Sequence, residues 1–111
     1  MSVKHAMSSL TLWALCGACL AQDAPAAVTG DQVRSYQDGV ERGCKNQGYR
    51  RGDPRDSVDA FCDCMIAHLK AGVSFAEWQR AYYYAARADQ DSEKRIFAPH
   101  LADLASCKRT S

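Results

Sequence analysis

The sequence has almost no excess of one charge, because 14 lysines and arginines stand against 13 aspartates and glutamates among its 111 residues. Proteins that hold nucleic acid or an anionic membrane by bulk electrostatics are strongly basic, so we expect no nucleic-acid partner. A chain of this length supports one domain.

Motifs that identify enzymes and cofactor proteins are also lacking. Beyond the N-terminal stretch there is no C-x-x-C pair, and the chain has no glycine-rich phosphate loop, haem-attachment motif or nucleophile elbow. Asp59 and Asp63 are four residues apart, a spacing typical of solvated carboxylates on a polar helix face. We therefore expect no enzyme activity, no catalytic residue and no cofactor.

The N-terminus has the features of a secretory signal peptide. Lys4 precedes a short apolar stretch from Leu10 to Leu20, which is shorter than the roughly 20 residues that span a bilayer. Small residues surround a cleavage point after Ala21, so residues 1–21 are expected to be removed. No second apolar run follows, and we expect no membrane span in the mature chain. Export to a periplasm or to the medium would expose the cysteines to an oxidising compartment.

Lipidation of Cys19 is an alternative fate for this N-terminus. Gly17 and Ala18 are the small residues that precede a lipidated cysteine, but Cys16 stands where a leucine is usual. We therefore favour cleavage after Ala21.

The remaining chain has helical patterning throughout. Residues 22–30 are rich in alanine and indicate a flexible lead-in, and residues 31–111 form one predicted helical domain. Apolar residues recur at helical spacing over Val33–Cys44, Val58–Leu69 and Phe75–Ala85. Within this pattern Gly48 is expected to end the first helix, Asp56 to cap the second, and a capping box of Ser74 with Glu77 to begin the third. The predicted fold is all-α: a small bundle of three to five short helices joined by two disulfides.

The mature cysteines are Cys44, Cys62, Cys64 and Cys107, and four cysteines allow three pairings. A bond between Cys62 and Cys64 is excluded, because residues i and i+2 point about 200° apart around a helix. Two schemes remain open. We slightly favour Cys44–Cys64 with Cys62–Cys107 over Cys44–Cys62 with Cys64–Cys107, although loop-closure entropy does not separate them.

Soft metal binding is the rival use of this segment. Cys62, Cys64, Met65 and His68 lie close in sequence, and thiolate and thioether ligands suit Cu(I). Cys62 and Cys64 face apart on a helix, however, so disulfides are the simpler interpretation. A Cu(I) or other soft-metal carrier is the alternative hypothesis.

An aromatic and basic cluster on the third predicted helix is a candidate binding surface. It consists of Trp78, Arg80, Tyr83, Tyr84 and Arg87, the residue types enriched at protein interfaces. We therefore predict a small exported protein that works by binding another protein, as an inhibitor, a toxin-immunity factor or an envelope accessory protein. A structural or stress-protective envelope protein is a further alternative.

Overall fold

The computed structural model describes residues 24–110, with side chains described to Lys108, so the predicted signal peptide and Cys19 lie outside the described residues. The elements are a 3₁₀ turn at Pro25–Ala27, α1 (Gly30–Arg50), α2 (Arg55–Gly72), α3 (Phe75–Ala86), α4 (Gln90–Phe97), a 3₁₀ segment at Ala98–Leu104, and α5 (Ala105–Thr110). The all-α fold with two disulfides is confirmed. None of the helices described in this part of the chain is long and apolar enough to cross a membrane.

The segment expected to be a flexible lead-in is packed from Pro25 onward. Val28 is buried, and its carbonyl oxygen accepts a hydrogen bond from Gln79 Nε2 of α3 at 2.9 Å. Thr29 caps α1, and its side chain forms a reciprocal capping box with Gln32. The packed domain therefore includes residues before 31, the boundary expected from the sequence.

Two predicted helix boundaries are wrong. Gly48 does not end α1, which continues through this buried glycine to Arg50, and the chain turns instead at Gly52 with a φ of +79°. Asp56 lies in the first turn of α2, whose N-cap is Pro54. Gly48 lies within α1 at the point where α1 packs against α2, because a residue with a side chain would not fit there.

The capping box of α3 is confirmed. The Ser74 hydroxyl oxygen accepts from the Glu77 backbone N–H at 3.1 Å, and the Ser74 backbone N–H donates to the Glu77 carboxylate at 3.0 Å. Val73 and Trp78, which flank this capping box, are both buried. α3 is thereby fixed at its start against the core.

The core lies where α1, α2 and α3 meet. Its buried members are Val28, Val33, Ile66, Leu69, Val73 and Trp78. The Trp78 ring is in edge-to-face contact with Tyr36 at 6.0 Å and with Phe97 at 5.5 Å between centroids. Through Phe97, this aromatic cluster ties α4 to the core.

Candidate functional site

α1 and α2 form an antiparallel hairpin in a single register. Lys45 Nζ lies 3.0 Å from Asp63 Oδ1, and the Tyr49 hydroxyl donates a hydrogen bond to Asp59. Moving four residues back along α1, from Tyr49 to Lys45, therefore corresponds to moving four residues forward along α2, from Asp59 to Asp63. Both contacts are charge-assisted, and together they hold one side of the hairpin closed.

The hydrogen bonds of this seam change the pKa values of its two α1 residues, Lys45 and Tyr49. The hydrogen bond to Asp63 raises the pKa of the Lys45 ammonium, and the hydrogen bond to Asp59 raises the pKa of the Tyr49 phenol. Lys45 therefore remains a cation and Tyr49 remains neutral near neutral pH.

The disulfides join Cys44 to Cys62 and Cys64 to Cys107, with Cα–Cα distances of 5.9 and 5.6 Å. The preference for Cys44–Cys64 is therefore wrong. Cys62 lies on the buried face of α2 that turns toward α1, while Cys64 points about 200° away, toward the C-terminal helix. Each disulfide consequently fixes a different neighbour to α2.

A groove runs along the hairpin beside the Cys44–Cys62 disulfide. It has a volume of about 640 Å³ and is mostly apolar. The walls are Val40, Gly43 and Gln47 from α1 and Ser57, Phe61 and Met65 from α2, with Val58 and the disulfide between them. The lining runs from Val40 to Gly48 on α1 and from Ser57 to Met65 on α2, eight residue steps on each helix, which corresponds to about 12 Å of helix.

Charged groups line this groove at the interhelical turn and on α5. Arg51 and Asp53 line it at the interhelical turn, where Arg51 Nη2 lies 3.1 Å from Asp53 Oδ2. Lys108 of α5 also lines it and is exposed. Residues 50–56, which form this turn and the start of α2, carry three arginines against two aspartates and so have a net positive charge. An apolar trough with one cationic end is complementary to an apolar ligand that carries negative charge at that end.

The candidate surface on α3 is only partly exposed. Trp78 is 2% exposed and belongs to the core, so it presents no surface to a partner. The guanidinium of Arg87 lies 3.6 Å from the centroid of the half-buried Tyr83 ring, whose own edge-to-face neighbour is Tyr84 at 5.4 Å. With the exposed Arg80, these residues form a smaller patch than the sequence indicated.

The four residues considered for Cu(I) do not converge. Cys62 is bonded to Cys44, Cys64 is bonded to Cys107, and Met65 lines the groove. His68, in contrast, is beside the second disulfide. The sulfurs of Cys64 and Cys107 and a ring nitrogen of His68 all lie within 4.8 Å of one another.

The apolar pattern of α2 did not show which of its residues line the groove. Phe61 and Met65 lie within that pattern, and both are half-buried and line the groove, although Met65 also packs against the core. Ile66 of the same helix is buried. The glycines of α1 were the available signal, because a helix with small residues on one face allows close helix packing.

Comparison of the chain with models of protein families, with curated proteins and with solved structures found no match. The geometry and charge of the chain's own residues are therefore the basis for proposing a function.

Proposed function

We propose that this protein binds another polypeptide, and that the groove of the α1–α2 hairpin receives an amphipathic helix of that partner. The observation that carries the proposal is the groove itself, an apolar trough of about 640 Å³ bounded by two helices. The helical part of its lining, about 12 Å long, matches about two turns of an α-helix. Docking of an apolar helix face into such a groove is a recurring mode of peptide recognition.

The hairpin supports a preformed groove. The Cys44–Cys62 disulfide lies along its floor, and the contacts of Lys45 with Asp63 and of Tyr49 with Asp59 close its opposite side. A surface that is already ordered loses less conformational entropy on binding, so more of the contact energy becomes affinity.

The charge at one end of the groove selects the partner. Residues 50–56 at the interhelical turn carry three arginines against two aspartates, so the partner helix carries acidic residues beside its apolar positions. Apolar anchors at positions i, i+3 or i+4, and i+7 would contact Phe61 and Met65. The occupant we propose is therefore an acidic amphipathic helix.

The proposed setting is outside the cytoplasm. Two disulfides and a signal-like N-terminus support export to a periplasm or to the medium. An inhibitor, a toxin-immunity protein or an envelope accessory protein would each work there through one protein–protein contact. The Cu(I) carrier alternative loses support because Cys62 and Cys64 are both in disulfides. A structural envelope protein is the other alternative, and it would bind no ligand.

The test uses the oxidised protein and three synthetic helical peptides. One peptide has leucines at i, i+3, i+4 and i+7 with glutamates on its other face; the second has lysines in place of the glutamates; the third has the acidic peptide's composition in scrambled order. We expect the acidic peptide to bind most tightly. Phe61→Ala should weaken it about tenfold or more, because removing a buried aromatic ring costs roughly 1.5–3 kcal/mol.

Matched variants on α3 decide between the two surfaces. Tyr84→Ala and Arg80→Ala should leave the affinity for the acidic peptide unchanged. If they weaken binding and Phe61→Ala does not, the partner site is the patch of Arg80, Tyr83, Tyr84 and Arg87. Equal binding of all three peptides, or binding of a fatty acid without binding of any peptide, would refute a helix-binding groove.

A further inference from the structure

His68 lies beside the Cys64–Cys107 disulfide and does not line the proposed groove. The two sulfurs and a ring nitrogen of His68 lie within 4.8 Å of one another. Among the residues that the structure describes, this is the cluster in which three cysteine, histidine or carboxylate donors come this close.

The spacing of these donors on α2 is that of a chelating pair. Cys64 and His68 are four residues apart and so share one face of the helix, the spacing at which two side chains of one helix bind the same zinc ion in the H-E-x-x-H motif. Cys107 comes from α5, a separate element, and is completely buried. The ligands would thus reach one ion from two helices.

We propose that reduction of the Cys64–Cys107 disulfide converts this cluster into a Zn²⁺ site. A dithiol reductant transfers two electrons to the S–S bond, yields two protein thiols and becomes a disulfide itself. Zn²⁺ then displaces a proton from each thiol and binds the thiolates of Cys64 and Cys107 together with the neutral imidazole of His68. Two cysteines and one histidine form a zinc donor set that leaves the fourth position open.

The exposure of the three ligand residues indicates the side from which a metal ion enters the site. Cys107 is buried, Cys64 is half-buried and His68 is exposed, so the ion enters from the His68 side. Water or a partner's side chain can occupy the fourth position there. In the oxidised protein neither sulfur is available as a thiolate, so the site exists only after reduction.

This inference is independent of the peptide groove. The groove has the other disulfide, Cys44–Cys62, along its floor, and its proposed occupant binds the oxidised protein. Peptide binding and zinc binding can therefore fail separately.

The experiment measures Zn²⁺ binding by competition with a chromophoric chelator, using the full protein before and after phosphine reduction. We expect no binding to the oxidised protein and one Zn²⁺ per reduced chain. His68→Ala should weaken binding about tenfold or more, since it removes a direct ligand, whereas His100→Ala should not change it. The reduced, zinc-loaded protein should keep its helical circular dichroism.

Cysteine variants locate the site. Cys44→Ser with Cys62→Ser should retain zinc, and Cys64→Ser with Cys107→Ser should lose it. Co²⁺ in the reduced wild-type protein supplies a readout that needs no cysteine variant, because thiolate ligands produce a sulfur-to-cobalt charge-transfer band. Absence of that band, equal affinities of the His68 and His100 variants, or loss of zinc with Cys44 and Cys62 would overturn the proposal.

Discussion

Gly48 of α1 is so close to Val58 of α2 that a Cβ placed on Gly48 would be 2.6 Å from both Val58 methyl carbons. No ordinary carbon–carbon contact is that short, so the two helix backbones reach this separation only because residue 48 lacks a side chain. One turn away along each helix is the Cys44–Cys62 disulfide. Glycine and disulfide together set the width of the groove.

Gly48→Ala is expected to destabilise the protein despite alanine's better helix propensity. The added methyl must displace Val58 or separate the helices, at a cost of about 1–3 kcal/mol. Gly43→Ala is the matched control, because no atom beyond the local helix backbone lies within 4 Å of a Cβ placed on Gly43, and the change should stabilise the helix by up to about 1 kcal/mol. Denaturant unfolding with both disulfides intact measures the two effects. Equal stability of the two variants would contradict the close approach.

The disulfide pairing predicts which part of the fold each bond holds. Cys64→Ser with Cys107→Ser opens a loop of sequence separation 43 and should cost about 4 kcal/mol, against about 3 kcal/mol for the bond of separation 18. Without the Cys64–Cys107 disulfide, α5 should lose protection from hydrogen exchange while α1 and α2 keep theirs. Peptide mapping of the unreduced protein checks the pairing directly, and a Cys44–Cys64 peptide would show it to be incorrect.

Glu77 makes stability depend on pH in the acid range. The backbone N–H of Ser74 and the imidazole of His100, whose Nε2 lies 3.2 Å from Oε2, lower the pKa of the Glu77 carboxyl. Because the folded-state pKa is below the unfolded one, this contribution is complete above the usual glutamate pKa and is lost as pH falls through the folded value.

Glu77→Gln tests this pH dependence, since glutamine keeps the capping geometry but does not titrate. The variant should lose less stability than wild type between pH 5 and pH 3 in thermal unfolding. Asp38→Asn, at an exposed position of α1, is the control. If wild type and Glu77→Gln lose equal stability between pH 5 and pH 3, Glu77 is not the source of the pH dependence.

Arg51→Gln should weaken binding of the acidic peptide only a few-fold. Arg51 is exposed and already paired with Asp53, and exposed ion pairs contribute about 0.2–1 kcal/mol. The variant should also reduce the dependence of affinity on salt, because one screened attraction is lost. Titrations at low and high ionic strength measure both effects. An unchanged salt dependence would place the peptide's charges away from the interhelical turn.

Local patterns predicted most of the fold. The capping box of Ser74 and Glu77 and the apolar spacing on α2 and α3 depend on residues three or four apart, and these elements form as expected. Asp89 likewise caps α4 by accepting from the Ser92 backbone N–H. Such signals act within one element and need no knowledge of its neighbours.

The groove and the disulfide pairing depend on how α1 and α2 meet, which local patterns do not contain. Gly48 is a helix terminator by propensity but a contact residue in the hairpin, because packing against Val58 outweighs the cost of a glycine inside a helix. Once that register is known, Cys44 faces Cys62, and Phe61 faces the groove. Trp78 is a residue type that is enriched at protein interfaces, but it is buried in the core.

The chemical-shift changes of the oxidised, ¹⁵N-labelled protein during titration with the acidic amphipathic peptide would test the groove most directly. We predict that the largest changes occur at the backbone amides of Gly43, Gln47, Phe61 and Met65, which line the groove. Changes confined to Arg80, Tyr83, Tyr84 and Arg87, or an absence of changes at saturating peptide, would contradict binding in the groove.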